Sequence, residues 1–336
     1  MNARVTLRPS GRVLDCTTDR SVLHSALAQG VALAYGCRTG TCGACRGRLA
    51  AGRIDYGGVE PLGLTDEERA AGFVLLCQAR PASDLEVEVR ELEGFAELHV
   101  KTLPARVERI ERLAHDVMGL WLKLPPVERL RFIAGQHLDV LLPDGRRRAY
   151  SLANAPHDDA LLELHVRLVP HGAFSERVFG ALEQRALLRV QGPLGAFHLR
   201  EGSPRPIVMV AGGTGFAPLK SMVEHAHAVG LAQPIHLYWG ARATRDLYLP
   251  HLPRRWCDAH PGFRHTPVLS EPDAGWGGRV GWVHEAVVAD LGAGLAGHEV
   301  YMAGPPAMCR AARDAFAGLG LPEAQLHYDS FEFSAR

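Results

Sequence analysis

Lysine is scarce in this chain of 336 residues, which has 37 basic residues but lysine only at Lys101, Lys123 and Lys220. We attribute the arginine bias first to codon composition and only second to phosphate binding. Net charge is also absent, because 37 acidic residues balance the basic ones. A chain without an overall basic field is not expected to bind nucleic acid or a membrane surface.

Long apolar runs are missing as well. No stretch approaches the roughly 20 apolar residues that a membrane helix needs, and the first residues, Met-Asn-Ala-Arg-Val-Thr-Leu-Arg, contain no apolar segment typical of a signal peptide. The seven cysteines are an odd number, which does not suit a secreted disulfide framework. We therefore expect a soluble protein of a reducing compartment, the cytoplasm.

The chain has no fixed-period repeat and no low-complexity segment, and its pattern changes twice. Short strand-like runs and a Gly-rich loop occupy the first segment. The middle segment is β-rich with turn signals, as in a small antiparallel barrel. In the last segment apolar runs alternate with helical stretches, which predicts a parallel sheet. We predict domains at 1–92, 101–202 and 203–336, with a linker over 91–103.

Four cysteines form a metal-ligand pattern. Cys37, Cys42 and Cys45 give C-x4-C-x2-C, and Cys77 follows after 31 intervening residues, which is the plant-type [2Fe-2S] spacing. The surrounding glycines allow the loop to curl around a cluster and to point amides at its sulfurs. A zinc site or reactive thiols are the alternatives, but a solitary Cys77 does not supply the second paired knuckle that zinc sites favour.

The middle segment contains residues with the chemistry of a flavin site. Arg148, Tyr150 and Ser151 fall on one predicted strand after the Asp144-Gly145 turn, and alternation places the first two on one face and Ser151 on the other. A cation can meet phosphate and an aromatic ring can stack, while Ser151, our catalytic candidate, can donate a hydrogen bond toward the flavin nitrogen that receives hydride. An ordinary half-buried strand is the alternative.

Further flavin candidates lie downstream at His165, Arg167, Gly172 and Ser175. A glycine and a serine at a helix N-terminus are typical of a pyrophosphate site, although a simple helix cap by Ser175 explains the pattern equally well. For His165 we favour a structural histidine with satisfied hydrogen bonds over contact with the cofactor.

The last segment has two glycine-containing turns between a strand and a helix. Such turns let the backbone approach a pyrophosphate, with the helix dipole facing it. The sequence is not the G-x-G-x-x-G fingerprint, so a Gly-rich turn without a ligand is the alternative. Beyond Arg242 and Arg245 we see no basic pair for a 2′-phosphate, which favours NADH over NADPH. The NAD-binding candidates are Gly212, Gly213, Thr214, Gly215, Pro218, Gly240, Arg242, Gly304, Pro305, Pro306 and Met308.

Taken in order, these motifs resemble oxygenase reductase components: a plant-type ferredoxin domain fused to a ferredoxin–NADP reductase-like module. The chain is particularly similar to phenol hydroxylase-type reductases and to CDP-6-deoxy-3,4-glucoseen reductase. The resemblance implies a multidomain α+β and α/β protein with a β-grasp ferredoxin domain, an antiparallel β-barrel flavin domain and a Rossmann-like parallel-sheet nucleotide domain. It also implies FAD rather than FMN. It assigns the strand with Arg148, Tyr150 and Ser151 to the flavin, the Gly172–Ser175 motif to the flavin pyrophosphate and the Gly212–Pro218 loop to the nicotinamide nucleotide.

Two departures from the family pattern stand out. Many relatives have Cys-Gly-Pro-Pro near the nicotinamide, whereas this chain has Ala303 before Gly304, so a thiol often credited with assisting hydride transfer is absent. The terminal tyrosine that covers the flavin in plant reductases is also absent, and Phe331 or Phe333 is the candidate replacement.

We therefore expect an NAD(P)H-dependent iron–sulfur flavoprotein oxidoreductase that passes electrons from NADH through FAD and [2Fe-2S] to a separate acceptor protein. The first interpretation is the reductase component of a multicomponent oxygenase, and the second is the partner of a CDP-deoxyhexose 3-dehydrase. A redox-sensing or binding protein that keeps the fold is the third. Arg38, Arg46 and Arg48 flank the cluster loop and are candidates to steer the acceptor, a solvated basic rim being the alternative.

Overall fold

The structure is a computed structural model that describes residues 2–58, 60–89, 91 and 98–332. The chain divides into two compact units. The first comprises residues 1–99 with 195–197 and 332–336, and the second comprises 100–194 and 198–331. Among the described residues, no helix is long and apolar enough to cross a membrane.

The first unit is a small sheet with two short helices. Its elements are β1 (Asn2–Arg8), β2 (Val13–Thr17), α1 (Val22–Ala28), β3 (Arg46–Ala51), β4 (Ile54–Asp55), α2 (Asp66–Ala70), β5 (Phe73–Leu75), β6 (Arg80–Pro81) and β7 (Leu85–Glu88). Buried and exposed residues alternate along β1 and β2, as period-two strands with one wet face require. Ser21 caps α1, and Thr65 forms a capping box with Glu68 at α2.

The five main strands of this unit run in the order β2-β1-β7-β3-β5, and β4 pairs with β6 separately. The strands β1 and β7 are parallel, while the other neighbours in the main sheet are antiparallel. The core contains the buried side chains Val5, Leu7, Leu33 and Val87. Because β3 and β5 are antiparallel neighbours, the segment before β3 and the segment after β5 lie side by side.

The second unit begins with an antiparallel barrel. Its elements are β8 (Lys101–Ala114), β9 (Val117–Lys123), β10 (His137–Leu141), β11 (Arg147–Ser151), β12 (Leu162–Arg167), α3 (Ser175–Gly180) and β13 (Leu187–Leu194). The strand order is β11-β10-β13-β8-β9-β12, and a bridge between Leu152 and Leu164 joins the two ends. The Asp144-Gly145 turn connects β10 to its antiparallel partner β11, as predicted.

The rest of the second unit is a parallel sheet flanked by helices. Its elements are β14 (Ile207–Gly212), α4 (Phe216–Ala228), β15 (Ile235–Ala241), α5 (His251–Ala259), β16 (Phe263–Leu269), β17 (Arg279–Val280), α6 (Val283–Leu291), β18 (Glu299–Gly304), α7 (Pro306–Gly318) and β19 (Leu326–Ser330). The order is β17-β16-β15-β14-β18-β19, so the chain progresses outward in both directions from β14. A crevice is expected where the strand order reverses.

The structure corrects two details of the sequence prediction. The predicted linker over 91–103 is too long, because β8 begins at Lys101 and pairs there with Gly192. Proline after a glycine loop is typical of the first position of a helix, but the helix here begins at Phe216, which makes Pro218 its third residue. Proline is tolerated there because the first-turn N–H groups have no partner within the helix.

Candidate functional site

The four predicted cluster ligands come together at one end of the first unit. Cys37, Cys42 and Cys45 lie in the loop between α1 and β3, and Cys77 follows β5. The antiparallel pairing of β3 with β5 brings Cys45 beside Cys77, and the amide of Leu76 donates to the carbonyl of Cys45 at 3.0 Å. The sheet thus supplies the fourth ligand to a loop that holds the other three.

The thiols are arranged as two pairs. The amides of Cys37 and Cys42 each donate to the other residue's Sγ at 3.4 Å, and the Cys45 and Cys77 thiols are close enough to shift each other's pKa, raising that of Cys45 and lowering that of Cys77. Among the described residues, no three of these sulfurs lie within 4.8 Å of one another. One tetrahedral zinc ion needs four ligands around a single centre, so two pairs fit a cluster of two irons better than zinc.

The loop also stabilises negative charge on sulfur. The amide of Thr39 and the hydroxyl of Thr41 both donate to the Cys37 Sγ at 3.4 Å. Together with a hydrogen bond from Cys42, which has the largest effect, they lower the pKa of Cys37 to about 4 against the opposing effect of burial. Metal ligation requires the thiolate, so the donor set suits the cluster.

Backbone space around the cysteines is tight. Gly40 has a φ of +80°, which favours glycine. Gly63 lies so close to the loop that an added Cβ would be 2.8 Å from the amide nitrogen of Gly43 and 2.9 Å from the carbonyl of Thr41. Sequence reasoning did not identify Gly63, because it belongs to a separate turn and approaches the cluster loop only in the folded unit.

The predicted flavin residues lie on β11 as expected. Ser151 is buried and pairs with His137 across the sheet, while Arg148 is half-buried. The ring of Tyr150 contacts Phe174 at 5.4 Å, and burial raises the pKa of the Tyr150 hydroxyl. The alternation of side chains along this strand therefore separates Ser151 from the arginine and tyrosine, as predicted.

The Gly172–Ser175 segment differs in detail from a helix cap. Ser175 is the first residue of α3 and does not cap it. Its Oγ instead accepts from the amide of Val169 at 3.1 Å, and an added Cβ at Gly172 would be 2.4 Å from this oxygen. Ser175 thus holds the turn before the helix, and Gly172 makes room for its hydroxyl.

His165 is a structural histidine in this fold. Its side chain is fully buried, with Nδ1 2.9 Å from the Tyr248 hydroxyl and Nε2 2.8 Å from a carboxylate oxygen of Glu163. Both ring nitrogens are engaged, so the imidazole is not available to hold FAD. This agrees with the interpretation that the sequence favoured for His165.

The nucleotide candidates border a cavity of about 590 Å³ in the second unit. The barrel contributes Asp116, Val117 and Arg167, and the parallel sheet contributes the rest of the wall. Of the predicted residues, those that line it are Gly212, Gly213, Thr214, Gly240, Arg242, Pro305 and Met308. The cavity lies at the carboxyl ends of β14, β15 and β18, where the strand order reverses.

The other nucleotide candidates do not line the cavity but pack against the lining loops or belong to the helices that follow them. The backbone of Gly304, with a φ of +149°, packs directly on Gly212, and Gly215 packs on the carbonyl of Ala303. Pro306 is the first residue of α7, where its missing N–H costs nothing, and Pro218 is buried in α4.

Two arginines in the cavity wall are paired with carboxylates. Arg167 Nε donates to Asp116 Oδ2 at 2.9 Å, and Arg242 Nη2 lies 3.7 Å from the same oxygen. Arg242 Nε also donates to Asp246 Oδ2 at 3.2 Å. The sequence predicts Arg167 in the flavin site, but its guanidinium lies beside Gly213, where an added Cβ would be 3.2 Å from Nη1.

The aromatic candidate at the C-terminus is described only in part. The amide of Phe331 donates to the carbonyl of Gly304 at 3.0 Å, which places Phe331 after the strand beside the second glycine turn. Phe333 lies outside the described residues.

Comparison with known families covers each of these sites. Residues 5–82 match the 2Fe-2S iron-sulfur cluster binding domain, 104–199 the oxidoreductase FAD-binding domain and 209–314 the oxidoreductase NAD-binding domain. The chain belongs to the iron–sulfur flavoprotein reductases. The predicted cofactors, [2Fe-2S], FAD and a nicotinamide nucleotide, are thereby confirmed, as is the predicted fold class.

Relatives of this reductase span its whole length. It is 38% identical to the CDP-6-deoxy-L-threo-D-glycero-4-hexulose-3-dehydrase reductase of Yersinia pestis, over 98% of this chain and 99% of that protein. It is 34% identical to the phenol hydroxylase P5 protein of Acinetobacter pittii, over 98% and 95% respectively. The crystal structure of the Amycolatopsis cytochrome P450 reductase GcoB superposes with a TM-score of 0.80 at 35% identity, over 98% of both chains. The predicted resemblance and electron-transfer activity are confirmed.

Several residues of the reductase cavity were not anticipated. They are Asp116, Asp246, Tyr248, Ser270, Trp282, His284 and Glu285. Most of them lie in turns or at helix starts without a recognisable motif. Trp282, His284 and Glu285 lie directly before or within the first turn of α6, so the start of that helix is their sequence signal.

Proposed function

We propose that the reductase binds NADH in the cavity between its barrel and its parallel sheet. The observation that carries this proposal is that both halves of the unit line the cavity, Arg167 and Asp116 from the barrel and the Gly212–Thr214 loop from the sheet. A nicotinamide bound there would lie against the barrel that carries the flavin strand. When bound, FAD accepts two electrons as hydride and the [2Fe-2S] cluster accepts electrons singly.

We assign the following roles to the chain's own residues. Cys37, Cys42, Cys45 and Cys77 hold the cluster. On β11, Arg148 and Tyr150 bind FAD and Ser151 hydrogen-bonds its reacting edge, while Gly172 and Ser175 shape the turn for its pyrophosphate. Arg167 moves from the flavin set to the nucleotide set, because it faces the glycine loop. The remaining nucleotide candidates keep their predicted role, and Phe331 is proposed to shield the flavin.

We further propose that the cavity prefers NADH to NADPH. Each arginine that lines the described cavity is paired with a carboxylate: Arg167 with Asp116, and Arg242 with Asp246, which lies four residues later in the same loop. Glu285 adds a further acidic group to the wall. A 2′-phosphate would meet neutralised guanidinium groups and repelling carboxylates, whereas a ribose hydroxyl can donate to an acidic oxygen.

The proposed electron acceptor is a separate oxygenase component. The phenol hydroxylase and terephthalate dioxygenase reductase relatives, at 34–35% identity, support this choice. A deoxyhexose dehydrase component is the second candidate, supported by the Yersinia relative at 38% identity. Two of the basic residues near the cluster are themselves paired, Arg46 with Glu68 and Arg48 with Glu88, which weakens the steering field predicted from sequence. A set of four cysteines that holds a metal cluster rather than disulfides is typical of a reducing compartment, so we propose a cytoplasmic location.

An anaerobic visible titration tests the proposal directly. NADH is expected to bleach both the flavin and the iron–sulfur bands of the purified protein at lower concentration than NADPH. Asp116→Asn/Asp246→Asn, which frees the arginines, is expected to narrow that difference. Absence of bleaching by either nucleotide would refute the reductase activity and favour a sensing or binding role. Reduction of a purified oxygenase or dehydrase component by the NADH-reduced protein then identifies the acceptor.

A further inference from the structure

A buried polar network lies beside the cavity and has no assigned role in binding either nucleotide. Lys220, on α4, donates from Nζ to three acceptors: the carbonyl of Ala153 at 3.1 Å, Glu163 Oε2 at 3.0 Å and Glu224 Oε2 at 3.0 Å. The other carboxylate oxygen of Glu163 contacts His165, which in turn contacts Tyr248. All of these side chains except that of Glu224 are buried.

The chemistry of the network fixes the direction of each hydrogen bond. Burial opposes ionisation of Glu163, but the hydrogen bond from His165 and the charge of Lys220 overcome it and lower the Glu163 pKa. Burial likewise lowers the pKa of His165 and keeps it neutral. A carboxylate can only accept, so His165 donates from Nε2 to Glu163. Its Nδ1 must then accept, and the Tyr248 hydroxyl donates to it.

The network connects the flavin strand to the nucleotide loop. Ala153 and Asn154 follow two and three residues after Ser151. Lys220 donates to the carbonyl of the first, and Ser221 donates to the carbonyl of the second at 2.7 Å. Both donors belong to α4, which begins immediately after the Gly213–Gly215 turn. Movement of α4 therefore cannot occur without stretching hydrogen bonds to the segment that carries Ser151.

The network also holds one wall of the cavity. Tyr248 lines the cavity, and its ring stands edge-on to the rings of Trp239 at 5.4 Å and Phe216 at 5.9 Å. Its hydroxyl contacts His165, which is not a lining residue of the cavity. The hydrogen bond to His165 fixes one orientation of the Tyr248 ring. Apolar packing alone does not fix that orientation.

Stability alone is a poor reason to bury such a network, because apolar residues of similar volume often stabilise as well as a buried ion pair does. We propose that Glu163, His165, Lys220 and Tyr248 are positioning residues that set the geometry between the nicotinamide and the flavin edge for hydride transfer. This inference rests on the proposed binding of NADH in the cavity. In this proposal each of the four residues acts through α4, the Ser151 segment or the Tyr248 ring rather than as a reacting group.

Two variants test the proposal against a matched control. Tyr248→Phe removes one buried hydroxyl and keeps the ring, and Lys220→Met removes the ammonium that joins the elements. The control is Tyr238→Phe. Tyr238, on β15, is also a buried tyrosine, and its hydroxyl donates at 3.1 Å to Asp290, which is not part of the network. Flavin bleaching is followed by anaerobic stopped flow over a range of NADH concentrations, with 4-deuterated NADH in parallel.

A positioning role predicts a split between rate and binding. The limiting bleaching rate of both variants is expected to fall roughly tenfold. This rate is expected to be slower still with 4-deuterated NADH, which shows that hydride transfer is the rate-limiting step. The NADH concentration at half the limiting rate is expected to change less than about twofold, and the FAD content is expected to be that of the control.

The opposite results would overturn the proposal. A limiting rate like that of Tyr238→Phe, or a loss of NADH binding without a loss of limiting rate, shows that the network is structural only. Tyr248→Phe alone decides the question if Lys220→Met does not retain FAD. If NADH does not bleach the unmodified protein, the proposed function fails as well, and the network has no hydride transfer to position.

Discussion

Gly215→Ala is expected to disable the nucleotide site by a steric clash alone. Gly215 has ordinary helical dihedral angles, φ −57° and ψ −13°, so alanine causes no backbone strain there. Its Cβ would however lie 1.9 Å from the carbonyl oxygen of Ala303, where ordinary contact begins at 3.4 Å. Both groups belong to backbone, so no side-chain rotation relieves the overlap. The glycine loop and β18 must separate by about 1.5 Å, the difference between those two distances.

A displacement of this size exceeds what hydride transfer tolerates. Misplacement by roughly 1 Å can reduce a rate about 100-fold, and we expect a loss of that order in kcat/KM for flavin bleaching by NADH. Overpacking is also expected to cost roughly 1–3 kcal/mol of folding stability, measured by thermal unfolding. The flavin and cluster bands report whether both cofactors remain bound.

The matched control is Gly318→Ala in α7, where an added Cβ meets nothing within 4 Å. This variant should bleach at the rate of the unmodified protein. If Gly215→Ala keeps both cofactors and bleaches within about threefold of that rate, close packing of the loop on β18 does not determine nucleotide binding, and the reasoning from the 1.9 Å distance to Ala303 is refuted.

Three other outcomes are expected. Cys77→Ser should abolish the iron–sulfur bands while NADH still bleaches the flavin, whereas Cys257→Ser, at an exposed position, should change neither, as visible spectra will show. Ser151→Ala should slow flavin bleaching by about tenfold or less, the net value of one hydrogen bond, in the same stopped-flow assay; an unchanged rate would remove Ser151 from the mechanism. Burial lowers the pKa of three histidines from 6.5 to about 4, so their contribution to stability is full above pH 6.5 and is lost as the pH falls toward 4. They are His227, His236 and His265. Melting temperatures over that range should fall less steeply after their replacement by asparagine, and an equal slope would contradict the expectation.

The sequence predicted elements well where the signal is local. The capping residues Ser21 and Thr65 mark the starts of α1 and α2, and the alternating run after Asp84 marks β7. The cysteine spacing likewise indicated the cluster. Division of the four thiols into pairs was beyond sequence reasoning, because it depends on the pairing of β3 with β5.

Strands that contain proline were harder to recognise. The strands β13 and β16 contain Pro193 and Pro267, and proline is disfavoured in a paired strand because it has no N–H to donate. Pro267 is accommodated because β17 pairs with β16 only at Val268 and Leu269, which leaves the proline beside an unpaired edge. The domain boundaries at 1–92, 101–202 and 203–336 remain predictions.

The charged part of the cavity could not be predicted for a different reason. Asp116 lies in the turn between β8 and β9, and Asp246 lies in the loop after β15. Neither belongs to a motif, and 130 positions of sequence separate them. They meet around Arg242 only because the barrel packs on the parallel sheet. The same packing brings Arg167, the last residue of β12, beside the glycine loop.

The scarcity of lysine has a practical consequence. Lys220 is buried, whereas Lys101 and Lys123 are exposed on neighbouring parts of the barrel. An amine-specific reagent applied to the folded protein will therefore acylate the barrel lysines and leave the nucleotide-binding half unlabelled at lysine. The fraction of molecules acylated at Lys220, measured by mass spectrometry, then reports the fraction in which α4 has separated from the barrel.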